Sequence, residues 1–227
     1  MEQQSEAQDV AQDAQCGNLS SGPAKRAIAK LRAMPAAVKA QRVVAFAVQD
    51  CGNLIRCALA AGCSAEARDA DGDTALCLAA RYGKARSLKA LLDLGADGNA
   101  AGSLGNTALM TAVMFKQKAC ARMLLPHSNL SATNKKGHNA LHISVITGNW
   151  DCFRMLVKRV GDLDARTVQG IDPESGEPLS GFGYTALSFA CILGQHDMRC
   201  CCIAVPRGRL EIQRVIRPHM LLQRTAT

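Results

Sequence analysis

The chain has 227 residues, 48% hydrophobic and 20% charged, with a formal net charge of +8. These proportions predict an ordinary soluble protein of one folded domain with tails, and exclude a membrane helix, since no apolar run approaches the roughly eighteen residues a span needs. Residues 50–198 hold fifteen bases against fourteen acids, so the body offers no basic stripe for a nucleic acid to follow and the excess charge lies in the flanks.

Residues 1–21 carry four acids and no base. Rich in Gln, Asp and Ser and without an aromatic, the segment 1–23 reads as disordered, and it lacks the basic-then-apolar layout of a signal peptide. Residues 24–49 reverse the sign, with six bases (Lys25, Arg26, Lys30, Arg32, Lys39, Arg42) and no acid. Within the flanking segment 24–42, residues 24–34 read as a short basic amphipathic helix ended by Pro35. A solvated cap is its plainer role, and an electrostatic docking segment the sharper one.

The stretch 69–100 organises the rest of the chain. It opens on the turn Asp69-Ala70-Asp71-Gly72, after which Thr74-Ala75-Leu76 begins an apolar helix closing at Gly83. A second helical run places Leu88, Leu91 and Leu92 at i, i+3 and i+4 and stops at Gly95. The start of this unit recurs at Thr107, Asn139 and Thr185, each followed by Ala-Leu; Thr74 to Thr107 is 33 residues. A period of this size marks a stacked repeat protein. Residues 43–68 read as a degenerate first copy, with Gly52 and Gly62 standing where Gly83 and Gly95 stand later but two residues closer together. Terminal repeats are expected to be atypical because one face meets water.

Thr107 to Asn139 is 32 residues, whereas Asn139 to Thr185 is 46. The excess of thirteen falls around 166–183, a Gly- and Pro-rich loop that lengthens one turn. Phe153, Leu156, Val157 and Val160 form the buried stripe of the third unit. Beyond Met198 a partial fourth unit gives way to Cys200-Cys201-Cys202, Pro206 and a basic tail over 204–227, with the repeat domain spanning 43–203.

The unit resembles the ankyrin repeat, a β-turn followed by two helices with Thr-Pro-Leu-His-x-Ala opening the first. Asp69, Gly72, Thr74, Leu76, Ala79, Ala80, Gly83, Leu91, Leu92, Gly95, Ala96, Asp97 and Asn99 carry the resemblance. The family's Pro is Ala75, Ala108, Ala140 and Ala186 here, and its His survives only as His142. The physics agrees with the pattern. Thr or Asn ahead of a helical run is a good N-cap, and the small pairs Ala79-Ala80, Ala112-Val113, Ser144-Val145 and Ala190-Cys191 let successive first helices approach closely. The implied fold is an all-α ankyrin-repeat solenoid of helix-turn-helix repeats with β-turn fingers.

Catalytic constellations are absent from this pattern. His138 and His142 have helical ligand spacing, yet two ligands without a third define no metal site. Adjacent cysteines at 200–202 lack the spacer that lets two thiolates reach one ion, and no glycine run ends in the Gly-Lys-Ser/Thr of a phosphate loop. Eleven cysteines, an odd number scattered over helical positions, argue for reduced thiols inside the cell. The expected placement is intracellular and cytoplasmic, with the nucleus second.

What the resemblance implies is a non-enzymatic scaffold or adaptor without a cofactor, monomeric, holding a partner protein in a concave groove. The implied contacts on the first helices are Arg81 and Tyr82, Met114 and Phe115, Ile146 and Thr147, Ile192 and Leu193. On the finger tips they are Asp71, Asp73, Leu104, Lys135, Lys136, His138, Phe182 and Tyr184. Four helix pairs with so few charges predict an apolar strip, and contiguous exposed apolar surface marks a partner site. The alternative is a regulatory or targeting subunit of an enzyme or membrane complex, docking through its basic flanks.

Overall fold

The computed structural model describes residues 22–159. The expectations for 1–21, for the loop 166–183, for the partial fourth unit and for the tail lie outside the described residues. The chain divides into two compact units, one ending at Asn129 and the other beginning at Leu130, and each is taken by itself.

Among the described residues of the first unit seven α-helices follow one another: α1 (Gly22–Ala33), α2 (Ala36–Val48), α3 (Gly52–Ala60), α4 (Ala75–Arg81), α5 (Ala85–Asp93), α6 (Ala108–Met114) and α7 (Lys118–Leu124). They pack as two rows. The inner row runs α2, α4, α6, and the outer row runs α1, α3, α5, α7, each helix touching its neighbour in the row. Residues at the Ala-Ala positions explain the close inner row: Ala79, Ala80, Ala112 and Val113 are fully buried, and no side chain larger than Val keeps those backbones apart. The outer row contributes Leu54, Ile55, Leu88, Leu91 and Leu124, all buried. Neither row could hide its apolar face alone; stacking does it.

The second unit contains α8 (Ala140–Ile146) and α9 (Trp150–Val157). Phe153 and Leu156 are buried, as expected for the third unit's stripe, while Val157 is half-buried. Among the described residues no strand forms, and Arg68 and Thr74 make an isolated antiparallel bridge. No described helix is long and apolar enough to cross a membrane.

The helix expected over 24–34 runs from Gly22 to Ala33, and Pro35 then serves as the N-cap of α2. The inner helix of the first copy therefore begins at Ala36, within the basic flanking segment. That first copy also keeps a stricter register than its glycines suggested. Gly52 is not the counterpart of Gly83: it opens α3, where a Cβ would crowd the backbone of Arg86. The left-handed position is held by Asp50, φ 59°, matching Gly83 at 68°, Lys116 at 59° and Gly148 at 62°. Asp50 to Gly62 is then the same twelve-residue step as Gly83 to Gly95. Asp50 offsets its backbone strain by accepting hydrogen bonds from the N–H groups of Arg86 and Ser87, at 3.1 and 3.0 Å. A side chain of the first copy thus caps the outer helix of the second.

Candidate functional site

Helices α4, α6 and α8 each start from a side-chain cap, whereas Pro35 offers none to α2. Thr74 accepts from the N–H of Cys77 at 3.1 Å, Thr107 from Met110 at 3.4 Å, and Asn139 from His142 at 3.0 Å. The Asn139 side chain also lies 2.6 Å from His142 Nδ1. Where the first full unit has Cys77 in place of that His, the thiol donates weakly to the Asn106 carbonyl at 3.7 Å. Burial pushes the Cys77 thiol above its usual range, so it stays protonated and serves as packing and a weak donor.

The fingers precede these caps. In finger 69–73 the Asp69 carboxylate accepts from the N–H groups of Asp71 and Asp73, at 3.0 and 2.8 Å. Finger 134–138 of the second unit repeats the device, Asn134 accepting from Lys136 and His138 at 3.0 and 2.9 Å. Finger 102–106 has Gly102 at that place. Its capping oxygen comes from the previous finger: Asp73 Oδ1 accepts from Ser103 N–H at 2.9 Å and from Ser103 Oγ–H at 3.0 Å. Gly102 is required there because a Cβ would run into that same Asp73 oxygen. Arg68 adds a second tie, donating to the carbonyls of Gly72 and Ala101 at 2.7 and 2.8 Å.

Asp73 does one more thing. Its other oxygen pairs with the Arg81 guanidinium at 2.7 Å, and Arg81 lies over the Phe115 ring, 5.5 Å from its centroid. Asp73 is 6% exposed. A buried carboxylate is tolerated because these donors satisfy it, and a guanidinium spread on an aromatic face is held in one orientation. Finger one, helix α4 and the end of helix α6 are tied together by this chain of contacts.

The expected contact residues divide accordingly. Asp73 belongs to the frame, and Arg81, half-buried, is paired within it. Tyr82 and Phe115 occupy equivalent positions 33 residues apart, each the C-cap of its inner helix, and stand 51% and 45% exposed. Leu104, at the tip of finger two, is 61% exposed. Met114 is half-buried and Asp71 exposed. In the second unit Ile146 is 39% exposed, Thr147 and His138 are half-buried, and Lys135 and Lys136 are exposed. His138 stacks on His142 with centroids 6.3 Å apart, and burial, with Lys136 close by, lowers its pKa. Phe182, Tyr184, Ile192 and Leu193 lie outside the described residues.

Sequence reasoning missed the roles of Asp50, Arg68 and Ser103. A signal existed for Asp50, since it stands one period before Gly83, but a search for glycine passes over it. Arg68 and Ser103 act on partners about thirty residues away, which no local pattern exposes.

A two-row stack with capped inner helices and finger turns defines a helical repeat protein. The ankyrin repeats model matches residues 44–134 and 98–167, more than half of the chain. The chain belongs to the ankyrin repeat family. It is 34% identical over 85 residues to human SH3 and multiple ankyrin repeat domains protein 2, a match covering 37% of this chain and 5% of that protein. It is also 34% identical over 118 residues to Protein PhlB of Serratia liquefaciens, covering 51% of this chain and 46% of that one. The chain thus spans under half the length of either relative. Members of the family are generally protein–protein interaction modules without catalytic activity.

Proposed function

We propose that this chain is a scaffold or adaptor that binds a partner protein across the exposed ends of its inner helices and the adjoining finger tips. The supporting observation is the pairing of Tyr82 and Phe115, two large rings left half in water at the same register on neighbouring helices. Leu104 extends the apolar surface onto a finger. Rings displayed in this way supply the rigid, amphipathic contact area that interface cores favour. Charge contributes little, because Arg81 is already neutralised by Asp73. The partner therefore presents an apolar helix face or extended segment, and Asp73 and Arg81 position Phe115 rather than touch that partner. In the second unit, taken by itself, Ile146 and Thr147 stand at the equivalent register of their own helix and are proposed as that unit's contacts.

The test is capture with the full chain as bait, followed by measurement of the recovered partner's affinity. Phe115→Ala and Tyr82→Ala are each expected to weaken it by about 1–3 kcal/mol, the range of a moderate hot spot, with little dependence on salt. A partner held equally well by both variants would refute the assignment.

A further inference from the structure

Helix α1 buries Ala24, Ala27 and Leu31, the i, i+3, i+7 stripe of a packed amphipathic helix, and α1 packs against α3. Lys25, Arg26, Lys30 and Arg32 are all exposed, and the other exposed residues of the helix are Gly22, Ala29 and Ala33. No acid occurs anywhere in residues 24–49.

Helix stability accounts for only part of this arrangement: Lys30 and Arg32 lie in the last turn, where the macrodipole favours bases. Lys25 and Arg26 sit near the start of the helix, where the macrodipole favours acids, and none is present there. Arg26 and Lys30 are like charges at i, i+4, a spacing at which they repel. Four exposed bases and no acid in this stretch leave the outer face of the helix uniformly positive, which an anionic partner complements. Its class is narrowed by the other residues of the face. A protein interface needs a desolvated apolar or aromatic anchor, and the exposed side chains between the bases of α1 are small, with Ile28 half-buried. A nucleic acid read by its bases would be stacked on aromatic rings or met by amide side chains, and neither is among the exposed residues of this helix; a duplex held by its phosphates alone is an outcome of the test below. Four exposed Lys and Arg side chains on an amphipathic helix suit the surface of an anionic bilayer.

We infer that the exposed basic face of α1 is a docking surface for anionic phospholipid membranes. The apolar stripe is already used in the array, so the contact is electrostatic and peripheral, without insertion, and salt screens it. It is independent of the strip around Tyr82 and Phe115, and leaves that strip available to a protein.

The test uses the full chain and sedimentation with two kinds of vesicle, phosphatidylcholine alone and phosphatidylcholine containing phosphatidylserine. Binding to the second and not the first is expected, with loss as salt is raised. Each base near an anionic surface contributes about a fivefold gain. The triple variant Lys25→Ala, Lys30→Ala, Arg32→Ala should therefore bind on the order of a hundredfold more weakly. Its helical circular dichroism and melting should be unchanged, because all three side chains are exposed. Absence of binding to the anionic vesicles overturns the inference. So does a folded triple variant that binds as before, which would move the charge effect to the six arginines of residues 199–227. Tighter binding to duplex DNA than to the vesicles, lost in the same variant, would assign the face to nucleic acid instead.

Discussion

Finger 69–73 carries its own cap, the Asp69 carboxylate accepting from two N–H groups of the same turn. Finger 102–106 has glycine at the matching place and takes its carboxylate from Asp73, thirty residues upstream. The first arrangement is local to one turn; the second exists only when two repeats are stacked. The comparison shows how a repeat array acquires cooperativity. A side chain lost from the turn of one repeat is replaced by one from its neighbour, and the contact couples the two repeats.

The sharpest way to break the borrowed cap is Asp73→Ala. It leaves the Ser103 donors and the half-buried Arg81 without their acceptor, and is expected to cost about 3 kcal/mol in denaturant unfolding. Gly102→Ala comes next. Its backbone is ordinary, so the cost is steric, about 2 kcal/mol for forcing a methyl group against the Asp73 carboxylate. The two should be strongly coupled: once Asp73 is Ala, adding Gly102→Ala should cost almost nothing more, a non-additivity that a double-mutant cycle reads directly. Additive losses would show that the two residues do not share one space.

The self-capped finger should be less sensitive. Asp69→Ala removes one acceptor from a solvent-facing turn and is expected to cost about 1 kcal/mol. Asn134→Ala should do the same in the second unit.

The smallest effect is a pH dependence confined to finger 134–138. Burial and Lys136 depress the folded-state pKa of His138, so the unfolded chain binds the proton more readily. The stability that neutral His138 preserves is fully present above the unfolded histidine value, near 6.5. It falls as pH drops through that value toward the lower folded one. Melting curves at pH 7.5 and 5.5 should show this decline, and His138→Asn should reduce it; an unchanged slope in the variant would place the effect elsewhere.

Much of this was legible in the sequence. The 33-residue period gave the repeat, the Thr and Asn ahead of Ala-Leu gave the N-caps, and paired small residues gave the tightly packed inner row. Those signals are local or periodic. Asp50 was not legible because aspartate there satisfies a backbone angle usually met by glycine, compensated by donors 36 and 37 residues away. The frame role of Asp73 was hidden for the same reason, since a carboxylate at a finger tip reads as exposed until Arg81 and Ser103 are placed around it. Lys116 shows the converse, a left-handed residue with a long side chain that no propensity would choose.

The central claim is that frame and contact are separate at the ends of the inner helices: Asp73 and Arg81 hold the architecture, while Tyr82 and Phe115 meet the partner. Its most direct test measures unfolding free energy and partner affinity side by side for Asp73→Ala and Phe115→Ala. Asp73→Ala is predicted to lose about 3 kcal/mol of stability, and Phe115→Ala to keep stability within about 0.5–1 kcal/mol while losing affinity. A Phe115→Ala chain that unfolds as readily as Asp73→Ala yet, where still folded, binds its partner normally would contradict it.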